Sequence, residues 1–178
     1  MNSRKGYHVI LVGSSNLSIE IIHHLAELSH LPNQNRLSIH CVDKNADAFC
    51  NKVEKVFTGI NQIPHLTLKA YNLDSESLAF YTDKLWQLEN LSNIIIATDN
   101  EENNLDIAIN LQDTTYIKKS VEGSFKTRVL FALFNDTGLG KIIDDNKGVF
   151  ANPSLTINFA KLLIFSHFKK INVIKTSC

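Results

Sequence analysis

The chain reads as an α/β protein with a Rossmann-like doubly wound parallel sheet, and three observations predict it. Apolar runs at 7–12 and 93–98 are nearly continuous, as strands buried on both faces require. Segments with apolar residues at helical spacing lie between such runs. The first run ends at Gly13, where the chain must turn sharply into the first helix.

The elements follow in order. Residues 7–12 form the first strand. Leu17, Ile21, Leu25 and Leu28 line one side of the next helix, with Ile22 and Ala26 beside them, and Pro32 lies beyond its end. Residues 37–42 form the second strand, with Asp43 just past it, and 46–53 a short helix. A loop around Gly59 and Pro64 leads to a third strand at 67–70. Asp74 or Ser75 then caps a helix through Leu78, Tyr81, Leu85 and Trp86. The strand at 93–98 is followed by an acidic, Asn-rich helix start at 99–104. A short fifth strand falls at 115–117, and 128–134 reads as strand or helix. Asn152 before Pro153 opens a last helix, about 153–167. No repeat, linker or low-complexity stretch divides the chain, so 1–178 reads as one domain with its core at about 7–150.

Composition narrows the function. Eighteen Lys plus Arg balance eighteen Asp plus Glu, so the basic surplus that drives nucleic-acid binding is missing. The three cysteines, Cys41, Cys50 and Cys178, lack metal-ligand spacing and suit reduced thiols of the cytosol. No apolar run reaches the roughly 18 to 20 residues of a membrane span, and no signal-like stretch follows Met1. The expected location is cytoplasmic.

The turn after the first strand, Gly13-Ser14-Ser15-Asn16-Leu17-Ser18, stands where a dinucleotide fingerprint G-x-G-x-x-G would be. Ser15 replaces the glycine that lets the backbone meet a pyrophosphate, and its β-carbon would push phosphate outward. Ser18 replaces a residue that only needs to be small. The helix start still offers backbone N–H groups and a positive dipole end, so a phosphate site and a plain polar turn are both open readings. Asp43 stands where an acidic side chain accepts from ribose hydroxyls. The alternative is a solvated strand-end carboxylate paired with Lys44.

Catalytic constellations are scarce. Tyr81 precedes Lys84 and Tyr116 precedes Lys118, and neither spacing is the Tyr-x-x-x-Lys that brings a base and its lysine onto one helical face. His23 and His24 are helix neighbours facing about a hundred degrees apart, which reads as a surface pair ill placed to share a metal.

The segments 8–13, 41–43, 74–78, 94–105 and 128–136, taken in order, resemble the regulator-of-potassium-conductance domains, also called KTN or TrkA-N domains. The stretch from Ala97 to Leu105, Ala-Thr-Asp-Asn-Glu-Glu-Asn-Asn-Leu, is the most specific part; 128–136 and 148–159 follow. The resemblance implies a cytoplasmic gating or assembly domain of a potassium channel or potassium uptake system, without chemistry of its own. It implies a membrane-embedded channel or transporter subunit as partner. It implies a nucleotide, NAD, AMP, ADP or ATP, with Gly13, Ser15 and Ser18 at the phosphate turn, Asp43 at the ribose and Thr98 with Asp99 at the pocket rim; Ser14, Asn16 and Lys44 beside them complete the expected cofactor-binding set. The lost glycines, and Tyr71-Asn72 or Ala70-Tyr71 where the family carries Gly-Asp, describe a member whose ligand is altered or absent. A short-chain NAD(P)-dependent oxidoreductase is the alternative, suggested by Asn72-Leu73-Asp74 and Ser14-Ser15.

Assembly is the last expectation. Residues 155–165 are apolar on more than one side, which as a helix calls for a second protein surface over part of them. The resemblance agrees, since the family's final helix crosses to a twofold-related subunit. The expectation is a homodimer or a ring of dimers.

Overall fold

The computed structural model describes residues 6–29, 36–113, 127–133 and 160–163. Strands β1 (Gly6–Val12), β2 (Arg36–Asp43), β3 (Leu66–Asn72), β4 (Leu91–Ile96), β5 (Arg128–Leu133) and β6 (Ala160–Leu163) form one sheet in the order β3-β2-β1-β4-β5-β6. Every pairing is parallel. Strand order reverses at β1, which has β2 on one side and β4 on the other. That topology is Rossmann-like, as the alternation of apolar runs predicts.

Helices α1 (Asn16–Ser29) and α2 (Ala46–Val56) cover one face of the sheet. Ile19, Ile22 and Ala26 of α1 and Phe49 and Val53 of α2 share a core with Val9, Leu11, Ile39, Cys41 and Ile95. Helices α3 (Leu78–Thr82) and α4 (Glu101–Asp113) cover the other. There Phe80, Ile107 and Leu111 pack with Ile10, Val12, Ile94, Ile96 and Phe131. Alternate residues of β1 and β4 thus enter opposite cores, which is why these strands read as unbroken apolar runs rather than as alternation.

Several boundaries differ from the sequence reading. The helix expected from Asp74 to Trp86 is split. Its cap is Ser77, whose Oγ accepts from the Phe80 N–H at 3.2 Å. Asp83 then ends α3 in extended backbone and accepts from the Leu85 N–H at 2.7 Å, starting a separate 3-10 turn over Lys84–Gln87. Asp74 instead accepts from the Glu76 N–H, in the turn before the helix. Two short polar side chains thus compete with the helix for its backbone donors and stop it.

The segment 128–134, left open between strand and helix, is β5 over Arg128–Leu133. The last helix, expected at about 153–167, is overturned where it is described: Ala160–Leu163 is strand β6, paired with Leu130–Leu133 of β5. A run apolar on more than one side suits a sheet strand as well as a buried helix, and periodicity alone does not separate the two in a short segment. The remainder of that helix and the strand expected at 115–117 lie outside the described residues.

A polar chain crosses the sheet on the face of Ile10. His8 Nδ1 meets His40 Nε2 at 2.9 Å, and His40 Nδ1 meets the Tyr71 hydroxyl at 3.1 Å, linking β1, β2 and β3. His40 is 1% exposed. Burial first, then the neighbouring His8 and Lys69, bring its pKa down to about 4; His8 is lowered by burial and Lys69. The folded protein therefore keeps His40 neutral at pH values where the unfolded chain, with a pKa near the ordinary 6.5, binds a proton. Stability is expected to be unaffected by His40 above about pH 6.5 and to fall by roughly 3 kcal/mol as pH drops to about 4, at ~1.4 kcal/mol per pKa unit. Urea unfolding at pH 7.5 and 4.5 would measure it, and a His40→Gln variant should lose less stability between those two values than the native chain.

Candidate functional site

The C-terminal ends of β1, β2 and β4 meet where strand order reverses, the position at which open α/β sheets form a ligand crevice. The Gly13 N–H donates to the Val42 carbonyl at 2.9 Å, and the Ala97 N–H donates to the Val12 carbonyl at 2.8 Å, so the end of β1 is held from both sides. Gly13 has φ +103°, the left-handed region that favours glycine. A β-carbon there would stand 2.7 Å from the Ala97 carbonyl oxygen and 2.8 Å from the Thr98 nitrogen. The glycine therefore serves a tight turn and a close crossing of the chain after β4 at once.

The Ser15 and Ser18 side chains are turned inward, to the chain leaving β4. Both are buried, and both hydroxyls donate to the Ala97 carbonyl, at 2.6 and 3.0 Å. Ser15 Oγ also accepts from the Ser18 N–H at 3.1 Å and so caps α1. The Ser15→Gly exchange, which the fingerprint suggests would improve phosphate binding, removes this cap and a buried hydrogen bond together.

The exposed rim consists of Ser14 and Asn16 on the turn, Lys44 after β2, and Asp99 after β4; Asp43 and Thr98 are half-buried. Asp43 is the last residue of β2, and its Oδ1 accepts from the Asn45 N–H at 2.9 Å, shaping the turn into α2. Lys44 pairs with Asp74 at 3.0 Å rather than with Asp43. A hydrogen bond and the charge of Asp74 raise the Lys44 pKa. The Glu76 N–H, then Lys44, lowers that of Asp74.

Two residues of the site escaped the sequence reading. Lys52 of α2 donates to Asn16 Oδ1 at 3.4 Å, bringing a cation to the first turn of α1, where no acidic residue stands. Its signal was a lysine at a plain helix-surface position. Asn104 of α4 is fully buried: its Oδ1 accepts from the Thr98 N–H at 2.8 Å and from the Thr98 hydroxyl at 2.6 Å. Its Nδ2 donates to the carbonyls of Thr98, at 3.3 Å, and Ala132, at 3.0 Å. One side chain thus fixes the chain leaving β4 against the end of β5.

The crevice residues offer hydrogen bonds and charge at a helix start. Among the described residues no tyrosine and lysine lie at the spacing that would supply a paired base: Tyr71 bonds His40, and the Tyr81 hydroxyl is engaged with Asn110. Cys41 and Cys50 are free, buried thiols beside one another; a hydrogen bond with Cys50, and burial, hold the Cys41 thiol far above its ordinary range.

No protein-family model matches the chain, and no curated protein matches it. Among solved structures, the chain is similar to SirC, a precorrin-2 dehydrogenase, at 18% identity over 60% of this chain, with a TM-score of 0.33. The chain spans 42% of the length of that structure. It is also similar to the FMN-dependent cysteine decarboxylase TvaF from thioviridamide biosynthesis, at 14% identity over 84% of this chain and 79% of that one, with a TM-score of 0.37. The fold assignment rests on the strand order and the turn after β1 rather than on these likenesses.

The geometry around Gly13 yields a direct test. Gly13→Ala places a β-carbon against the Ala97 carbonyl in a left-handed backbone and is expected to destabilise the fold by about 2–3 kcal/mol. Asn104→Ala leaves the Thr98 N–H and the Ala132 carbonyl without their partner and is expected to cost a similar amount, about 2–4 kcal/mol. Chemical denaturation of both variants beside Ser14→Ala, at an exposed position and expected within about 0.5 kcal/mol of the native chain, checks both.

Proposed function

We propose that this chain is a nucleotide-responsive regulatory domain, without chemistry of its own, that receives an adenine nucleotide in the crevice at the ends of β1, β2 and β4. One juxtaposition carries the reading: the start of α1, with Lys52 alongside Asn16, lies at the point where strand order reverses and Asp43 ends the neighbouring strand. Phosphate would meet the N–H groups of the turn and Lys52, and the ribose would meet Asp43. Ser15 and Ser18, committed to Ala97, contribute rigidity rather than ligand contacts. NAD, AMP, ADP and ATP all carry the required ribose and phosphate.

The physiological role that fits is the cytoplasmic gating or assembly domain of a potassium channel or uptake system, acting on a membrane-embedded subunit. Its support is the sequence resemblance, whose most specific stretch, 97–105, contains Thr98 and the buried Asn104 that holds it. Homo-oligomeric assembly belongs to the same reading, although a continuous interface helix over 153–167 does not, given strand β6.

Calorimetry with the four nucleotides tests the ligand. Binding weaker than micromolar is expected, with Asp43→Ala and Lys52→Ala each reducing affinity by about tenfold, equivalent to ~1.4 kcal/mol. Sub-micromolar NAD binding that ignores both substitutions would place the ligand elsewhere. Reproducible nicotinamide turnover with an alcohol or ketone would overturn the regulatory reading in favour of an oxidoreductase. For the physiological role, deletion of the gene should impair growth at limiting external potassium, and unaltered potassium uptake in the deletion strain would count against it.

A further inference from the structure

The sequence reading set His23 and His24 aside because adjacent helical residues diverge. The structure supplies the third group that closes the angle between them. Glu27, one turn further along α1, reaches both: its Oε1 lies 3.9 Å from His23 Nε2 and its Oε2 lies 3.1 Å from His24 Nδ1. The ligand atoms of the three side chains all fall within 4.8 Å of one another. We propose that His23, His24 and Glu27 form a binding site for a divalent cation of the zinc class.

The chemistry of the donors selects that class. Two imidazoles with one carboxylate suit zinc and its neighbours in the transition series, whereas calcium and magnesium prefer all-oxygen sets. A cation at about 2.0–2.2 Å from each donor requires donor separations of roughly 3.3 Å, so the cluster must contract by about 1.5 Å at most. The side chains have room to do so, being 42%, 45% and 59% exposed.

Two features hold the site ready. The His23 ring is stacked on Phe57, with centroids 4.6 Å apart and planes 9° from parallel, so one of the three donors is already oriented by an aromatic surface. The cluster also runs from the middle of α1 to Glu27 in its last turn, which holds no basic residue to compete for the carboxylate. His23 and Glu27 form part of the wall of a groove of about 400 Å³ with Val56, Phe57, Ile60 and Ile63. Three protein donors leave a coordination position for water or a small ligand from that groove.

The site is independent of the nucleotide crevice. It lies about two helical turns, roughly 11 Å, from the start of α1 along the axis. The test uses the full chain, free of any polyhistidine tag and stripped with a chelator. Zinc binding is followed by competition with a chromophoric chelator, and cobalt by absorbance. We expect one zinc per chain in the micromolar range, a rise in melting temperature on zinc addition, and a cobalt spectrum without a thiolate charge-transfer band. His24→Ala and Glu27→Ala should each weaken binding at least about tenfold, while Glu89→Ala, at an exposed position outside the cluster, should not. These exposed positions leave the fold intact, which circular dichroism verifies. No binding below about 100 µM zinc, affinity indifferent to both substitutions, or a thiolate band assigning the metal to the cysteines would each overturn the proposal.

Discussion

The Ala97 carbonyl is the point on which the C-terminal end of the sheet depends. It receives the hydroxyls of Ser15 and Ser18 from the start of α1, and it lies directly over Gly13, where no side chain fits. One oxygen therefore ties the first helix, the turn before it and the end of β4 into a single rigid corner. Buried hydroxyls need partners, and a carbonyl at the end of a strand needs donors; each satisfies the other. Asn104 extends the same corner to β5 through Thr98 and Ala132. The ends of the central strands are thus framed by hydrogen bonds between elements distant in sequence, while the helices on either face supply apolar burial.

That division explains what the sequence could and could not reveal. The central strands were legible because burial on both faces leaves an unmistakable continuous run, as at Val9–Val12 and Ile94–Ile96. Gly13 was legible because its position between strand and helix has few other uses. The direction of the serine hydroxyls was not. A serine in a fingerprint position reads the same whether it faces phosphate or Ala97, and only the approach of β4 decides. Asn104 was hidden for a related reason: within an Asn-rich helix start nothing marks one amide as the buried one. At the far end of the chain, the 155–165 run carried apolar residues without a period that separates helix from strand, and the pairing of β6 with β5 resolved it for Ala160–Leu163.

The serine substitutions change what the turn can do in a specific way. In a glycine fingerprint, flexibility at the second position lets the backbone close on pyrophosphate. Here Ser15, anchored to Ala97 and to the Ser18 N–H, makes the turn stiff and turns its side chain inward, while Lys52 reaches across from α2 to Asn16.

Helix α1 carries two opposite electrostatic environments on one rigid element. Its N-terminal end is anchored at Ala97 and has no acidic residue in its first turn, which suits an anion. Two imidazoles stand in its middle and the Glu27 carboxylate in its last turn, which holds no basic residue. Because Ile19, Ile21, Ile22 and Ala26 are buried between the two, a displacement at one end is transmitted to the other only by moving the packed helix against the sheet. A close-packed interface resists such movement, so α1 is held against the sheet as one rigid body.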